Sequence, residues 1–294
     1  MTLVIAHRGA SADEPEQTRE AYAAAIAQGA DGVECDVRLT ADGVVVCLHD
    51  GTLDRTSTGT GAVHELTLDE LRAFDYGARG RPGTLLTLEE LLGLARGARR
   101  PLVLAIELKH PNPFGTAIEA AVLEVLDRAG WDARASRIEN VRVSLMSFNP
   151  ESIEVLATVV PAEHLMVLTG DLVLDDVAGE LPNELPAAER AALAAQLAEA
   201  LRVGRSLVDA GAVGQVGPDI ELVRADPELV RGWLGAGRTV RVWTVDDAAD
   251  IELCVALGVS EITTDAPARA RAVLDEFAAR SSIRFPDDPE QEHP

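Results

Sequence analysis

GVECDVRLTADGVVVCLHD, residues 32–50, sets Glu34 and Asp36 inside one apolar run and closes a second apolar run with His49. Buried strands normally carry Val or Ile at such places, so two acids and an imidazole there need a reason. Between the runs lies Thr40-Ala41-Asp42-Gly43, and Asp-Gly is a strong hairpin signal. Four residues are too few for a parallel crossover, so 44–49 is expected to return antiparallel to 32–38. With Asp42 and Gly43 as a two-residue loop, Ala41 would pair with Val44 and Asp36 would face His49, with Glu34 on the same side by the strand period. The competing account of this one segment is a solvent-facing polar stripe, since Val33, Cys35 and Val37 alternate with the acids as in a half-buried strand.

The same puzzle recurs twice. LVLAIELK, residues 102–109, ends in Glu107 and Lys109, two apart and therefore on one face; LVIAHRG, residues 3–9, runs into His7 and Arg8. Charged residues thus gather at the C-terminal ends of three apolar strands, which is where α/β barrels build active sites.

Outward from these segments, short β-rich runs alternate with alanine-rich helical stretches along the chain, as in repeated βα units around a parallel sheet. Strands are expected near 2–6, 32–38, 44–49, 102–109, 141–147, 164–168, 212–220, 239–244 and 260–264. Asn149-Pro150 and Asp226-Pro227 read as helix starts, and Gly29, Gly130, Gly237 and Gly258 as helix stops. The fold class predicted is α/β, a TIM-like (β/α)8 barrel. Residues 1–280 are expected to form a single domain with a small helical insertion at about 51–100, which carries two capping-box sequences beginning at Thr67 and Thr87. Residues 171–211 read as an enlarged βα connection, and 281–294 as an acidic, disordered tail.

Bulk composition limits the partners. A formal net charge of -23 over 294 residues disfavours nucleic acid, so an anionic substrate would have to meet positive charge concentrated locally. No run approaches the ~20 apolar residues of a membrane helix, which argues against stable membrane insertion. The expected setting is cytoplasmic: Cys35, Cys47 and Cys254 are odd in number, lie in apolar stretches and suit reduced thiols. Of the 26 basic residues only Lys109 is a lysine, which suggests a place where a compact ammonium cannot be exchanged for a planar guanidinium.

If Glu34, Asp36 and Glu107 converge in a partly dry barrel mouth they repel one another and are pushed toward protonation. A divalent cation would resolve that conflict. An all-oxygen donor set favours Mg²⁺ or Ca²⁺, with Mn²⁺ possible, while histidine ligation would instead point to zinc.

Taken together, these residues resemble the glycerophosphodiester phosphodiesterase family, whose barrels are akin to those of phosphoinositide-specific phospholipases. The resemblance rests on His7-Arg8-Gly9, Pro15-Glu16-Gln17-Thr18, the Glu34/Asp36 pair, His49-Asp50, Thr52-Leu53-Asp54-Arg55-Thr56, the Glu107/Lys109 pair, Ser147-Phe148, Val242-Trp243-Thr244-Val245 and Thr264-Asp265-Ala266-Pro267, in order from residue 3 to about 270. It implies metal-dependent hydrolysis of a small phosphodiester to an alcohol and glycerol 3-phosphate. By position it makes His7 and His49 the acid/base pair, Glu34, Asp36 and Glu107 the metal ligands, and Arg8 and Lys109 the phosphate contacts. The chain departs from the family pattern at Gln17 and Asp246, where asparagine is usual, and Asp246 would add negative charge near the substrate end.

Trp243 ends an apolar strand and could wall the glycerol carbons, as could Phe148; core packing is the alternative for both. Glu16 either supports the site from the loop after the first strand or is an exposed acid favoured by a helix N-terminus. His64, His110, His164 and His293 read as incidental, and Trp131 and Trp233 as helix packing. A lysophospholipid- or phosphoinositide-type phosphodiesterase, or a barrel that only binds phosphorylated ligands, are the competing functions; a monomer or homodimer is expected.

Overall fold

The computed structural model describes residues 2–77, 80–170 and 186–282. Eight parallel strands run β1 (Leu3–Ala6), β2 (Gly32–Leu39), β4 (Leu102–Leu108), β6 (Val141–Ser147), β7 (Leu165–Thr169), β8 (Gln215–Pro218), β9 (Thr239–Val242) and β10 (Glu261–Thr264). Each pairs with the next, β10 pairs with β1, and the β1–β2 contact (Ile5↔Gly32, Ala6↔Val33) completes the ring. This is a closed (β/α)8 barrel, as the alternating sequence pattern predicts. Two further strands lie off the ring: β3 (Val45–Cys47) hairpins onto β2, and β5 (Arg137–Ile138), which carries too little apolar pattern to be read from sequence, pairs antiparallel with β6.

The connecting helices are α1 (Arg19–Ala27), α2 (Leu68–Leu71) and α3 (Leu88–Gly97) before β4, then α4 (Ala117–Arg128), α5 (Pro150–Leu156), α6 (Ala187–Asp209), α7 (Ile220–Ala225), α8 (Pro227–Gly235), α9 (Ala248–Leu257) and α10 (Pro267–Ser282). Their ends follow local chemistry. Thr67 and Thr87 form complete capping boxes, Asn149 and Asp226 cap helices that start with proline, and Gly29, Gly130, Gly237 and Gly258 all adopt positive φ. The beginning of the 171–211 connection and the tail from 283 lie outside the described residues. No described helix is long and apolar enough to cross a membrane.

Alternation separates two cores. Val33, Cys35, Val37, Leu102, Leu104 and Ile106 face the helices, while Ile5, Val103, Ala105, Met146, Met166 and Leu168 fill the barrel. Both faces of the strands are therefore buried, so a polar residue on the inner face meets bulk water only near an end of the barrel. Gly32 leaves no room for a side chain: a Cβ there would lie 2.7 Å from both Ile5 Cδ1 and Val103 Cβ. A third small core, around Val46, Leu48, Leu53, Leu71 and Tyr76, packs the 51–100 excursion against the β2–β3 hairpin.

The hairpin corrects the expected register. Val37 pairs with Cys47 and Leu39 with Val45, Thr40 N–H donates to Val44 O, and Gly43 takes φ +76°. The loop therefore has three residues, 41–43, with glycine at the left-handed position, and Asp36 lies opposite Leu48 rather than His49. Asp-Gly does mark the turn; one extra residue in it slides the ladder by one. His49 still reaches the barrel mouth because β3 ends at Cys47 and the chain bends away, tied by Arg38 Nε donating to His49 O at 2.8 Å.

Candidate active site

The candidate site residues lie on β2 and β4 or in the segments that follow β1, β3, β4, β6 and β9. Glu34 and Asp36 are inward-facing on β2, and Asp36 pairs directly across the ladder with Glu107 on β4. All three acids are buried, and one carboxylate oxygen from each lies within 4.8 Å of the others. Two oxygens bound to one Mg²⁺ or Ca²⁺ at ~2.0–2.6 Å can be at most about 5.2 Å apart, so the donor set fits a hard divalent ion.

The charges support the same reading. Lys109 Nζ lies 2.9 Å from Glu107 and 3.5 Å from Asp36, and Arg8 Nε lies 3.3 Å from Asp36. Burial opposes ionisation of Asp36, but Lys109, His49 and Arg8 outweigh it and hold the carboxyl far below its usual range. Glu34 shows the reverse: burial, then the charges of Asp36 and Glu107, push its carboxyl well above the usual range, and the Arg8 backbone N–H at 3.1 Å offsets little of this. Three buried acids face two fixed cations, and the unmet negative charge falls on Glu34. An added positive charge would let all three ionise.

Arg8 is placed by the turn after β1, where Arg8 and Gly9 both take positive φ, at +56° and +86°. A side chain at Gly9 would meet Ala21 at 2.6 Å, so the close approach of this turn to α1 requires glycine. Arg8 NH1 donates to Glu16 at 3.0 Å, and Glu16 also accepts two hydrogen bonds from Arg55 at 2.8 Å each. Burial works against Glu16, but Arg55 and Arg8 prevail and hold its pKa low. Glu16 precedes α1, whose first-turn acid is Glu20, so its contacts are with the site and not with the helix terminus. Gln17, at the position that departs from the family pattern, donates to Asp36 Oδ2 at 2.6 Å and accepts from the buried Tyr22 hydroxyl.

Each imidazole is anchored through Nδ1 by a carboxylate that sequence reasoning left without a role. His7 Nδ1 lies 2.8 Å from Asp265 Oδ1, and His49 Nδ1 lies 2.8 Å from Asp50 Oδ1. Asp50 is in turn held by Arg55 through two hydrogen bonds at 2.7 and 2.9 Å. Burial disfavours both carboxylates, but the bond to His7 keeps Asp265 below its usual range, and His49 and Arg55 do so for Asp50. His49 itself is depressed, first by burial and then by Lys109. Both anchors sat within quoted motifs, but only barrel closure shows that residues 7 and 265 meet. Asp246, expected to add charge at the substrate end, instead accepts from Thr264 Oγ1 and from Asp265 N–H, and so stands behind Asp265.

A cavity of about 370 Å³ opens from this cluster into the barrel. His7, Arg8, Glu34, His49, Glu107 and Lys109 line one side; Met146, Phe148, Leu168 and Trp243 line another, with Asp219 and Arg241 further along. Phe148 and Trp243 meet edge to face at 5.6 Å, and Trp243 Nε1 donates to Gly217 O at 2.8 Å, so the aromatic wall is held rigidly. Trp233 is buried among helices and Trp131 packs against the same core. His110 is tied to the buried Glu119 at 2.7 Å, and the three cysteines are buried and free.

Comparison with known proteins agrees with the geometry. The Mycobacterium tuberculosis protein called "Probable glycerophosphodiester phosphodiesterase 1" is 37% identical over 291 residues, 96% of each chain. A Caldanaerobacter subterraneus glycerophosphodiester phosphodiesterase is 31% identical over 273 residues, 90% of this chain and 95% of its own. A solved Oleispira antarctica phosphodiesterase, in complex with the product sn-glycerol-3-phosphate, superposes with a TM-score of 0.73 at 23% identity, over 94% of this chain and 97% of that one, and so supports the barrel fold. The glycerophosphoryl diester phosphodiesterase family matches residues 7–269, and with a closed barrel bearing an acidic triad and two anchored imidazoles at its mouth, the chain belongs to that family of enzymes.

Proposed function

We propose that the protein hydrolyses small glycerophosphodiesters to an alcohol and glycerol 3-phosphate, with a divalent cation held by Glu34, Asp36 and Glu107 and with His7 and His49 as the acid/base pair. The observation that carries this reading is the pairing of two imidazoles, each anchored at Nδ1 by its own aspartate, in one cavity with two cations and with Glu34 and Glu107 of the three-acid cluster. A site that only bound phosphate would need the cations, but not two oriented proton carriers.

A phosphodiester is anionic, so its turnover needs charge neutralisation at the non-bridging oxygens, an activated nucleophile and a proton for the departing alkoxide. Bound at the acids, Mg²⁺, Ca²⁺ or Mn²⁺ would supply Lewis-acid stabilisation of the phosphoryl oxygens. Arg8 and Lys109 draw the phosphate into the cavity and offset its charge. With a carboxylate at Nδ1, each histidine presents Nε2 as its working nitrogen, and the aspartates stabilise the imidazolium that forms when a proton is taken up. Proton transfer by such positioned groups contributes ~10²- to 10⁴-fold each. Phe148 and Trp243 shield the substrate carbons, and Glu16 holds Arg8 in line. The excursion at 51–100 supplies Arg55, which supports reading residues 1–280 as one catalytic domain. Three buried thiols are consistent with work in the cytoplasm.

The test is hydrolysis of glycerophosphocholine, glycerophosphoethanolamine, glycerophosphoglycerol and bis(nitrophenyl) phosphate, with and without thorough chelation. Turnover of the glycerophosphodiesters that chelation abolishes and a divalent ion restores is expected. Turnover indifferent to chelation would overturn the metal assignment, and no turnover of any diester would overturn the reaction.

A further inference from the structure

Deep in the cavity lies a cation that the reaction described above does not use. Arg241 faces inward on β9 and is 2% exposed, yet it is one of the residues lining the cavity. Its Nε donates to Glu261 Oε2 at 2.7 Å; its NH2 lies 2.6 Å from the same oxygen without hydrogen-bond geometry. Glu261 is shared with Arg142, so one buried carboxylate serves two guanidinium groups. Among the described residues, Arg241 NH1 finds only two thioether sulfurs, Met146 Sδ at 3.6 Å and Met166 Sδ at 3.8 Å. Thioethers are weak acceptors, and a buried cation with unmet donors is costly. Arg241 therefore presents donors to the cavity that its ion pair with Glu261 does not use up, and a ligand there can meet them.

The position narrows what that is. Arg241 is two residues before Trp243 on the same inward-facing line, and β9 pairs it with Glu261, the first residue of β10. It therefore lies below the aromatic wall, on the barrel side of the cavity, away from the acids and histidines at the mouth. A ligand held at the mouth by its phosphate would put one ester group past Phe148 and Trp243 toward Arg241. The apolar walls suit carbon, and the donors at the end suit oxygen.

We infer that Arg241 is a specificity-determining residue: its NH1 donates to the hydroxyl oxygens of the polyol ester group that enters the barrel, and so separates glycerol diesters from diesters of plain alkyl alcohols. This inference rests on the phosphodiesterase reading and adds to it the group that reads the glycerol. Hydrogen bonds from a charged donor separate a hydroxyl-bearing ligand from its hydroxyl-free counterpart by about 10- to 100-fold.

The experiment compares kcat/KM for sn-glycero-3-phosphocholine with that for propyl phosphocholine, which keeps the phosphate and choline and lacks only the hydroxyls. Wild type should favour the glycerol compound by about tenfold or more, and Arg241→Met should bring the ratio down by about the same factor. Arg241→Met leaves Glu261 with Arg142 alone; the double variant R241M/E261Q removes the carboxylate charge as well and should show the same reduced ratio. A ratio that either folded variant leaves at the wild-type value, whether the two rates stay or fall together, makes Arg241 a scaffold residue and overturns the inference. A wild-type enzyme that cleaves both compounds equally well also overturns it while leaving the phosphodiesterase reading intact. A wild type that cleaves neither overturns both.

Discussion

Removing the anchor of His7 is the sharpest test of the acid/base assignment. Asp265 Oδ1 sits 2.8 Å from His7 Nδ1, and Ser11 Oγ, 2.9 Å from the same oxygen, is also 2.8 Å from His7 O. A hydroxyl has one hydrogen, so Ser11 cannot donate to both at once and exerts only a weak hold on Oδ1. In Asp265→Asn the amide oxygen can take the Oδ1 position and preserve the tautomer, but the negative charge is gone. A charge-assisted hydrogen bond of about 1.5–3 kcal/mol then becomes a neutral one of about 0.5–1.5 kcal/mol, so kcat should fall about tenfold. Asp265→Ala releases the ring entirely and should cost ~10²- to 10⁴-fold. The Asp265 side chain is 38% exposed, so stability should change little in either variant. The assay is steady-state kinetics on a glycerophosphodiester, with nitrogen NMR of the His7 ring as a tautomer readout. An alanine variant with wild-type kcat would refute the idea that Asp265 orients a working imidazole.

Other consequences follow from the same geometry. Lys109→Arg keeps the charge, but it forces a longer planar fork into a buried slot 2.9 Å from Glu107, so kcat/KM should fall by about 10²-fold and the fold should lose about 1–3 kcal/mol; kinetics and thermal melting check both. Mg²⁺ or Ca²⁺ added to chelator-treated protein should raise Tm by several degrees in wild type and not in Glu34→Gln, since binding to the native state alone stabilises it; equal shifts in the two would place the ion elsewhere. Burial disfavours ionised Glu261, yet Arg241 and Arg142 hold its pKa below the usual range. Its contribution to stability is therefore complete above the unfolded value of about 4.5 and is lost as pH falls below it. Glu261→Gln should cost about 3–5 kcal/mol at pH 7, and denaturant titrations should show the gap closing as the pH is lowered; a gap that widens in acid would reverse the sign of this account.

How far the chain can be read without its fold depends on the range of each interaction. The period-two alternation in residues 32–38 and 102–109 depends only on strand geometry, so it already puts Glu34, Asp36, Glu107 and Lys109 on inner faces at strand ends. Helix caps at Thr67, Thr87, Asn149 and Asp226 depend on bonds within four residues and are equally legible. Hairpin register is less so: Asp-Gly announces a turn, but the hydrogen bond from Thr40 to Val44 decides whether two or three residues lie in it, and that choice moved His49 out of line with Asp36. The anchors of the histidines were invisible as anchors. Asp265 meets His7 only because β10 closes the barrel against β1, and Arg55 meets Glu16 only because the 51–100 excursion folds back over the first loop. The shared buried carboxylate of Arg142 and Arg241 likewise joins strands more than a hundred residues apart in part of its span. Local periodicity and capping specified the strands, the helices and the facing of the acids, because those energies are settled between near neighbours. Which charges finally touch was left to ring closure, because a contact across hundreds of residues exists only once all eight strands are in place.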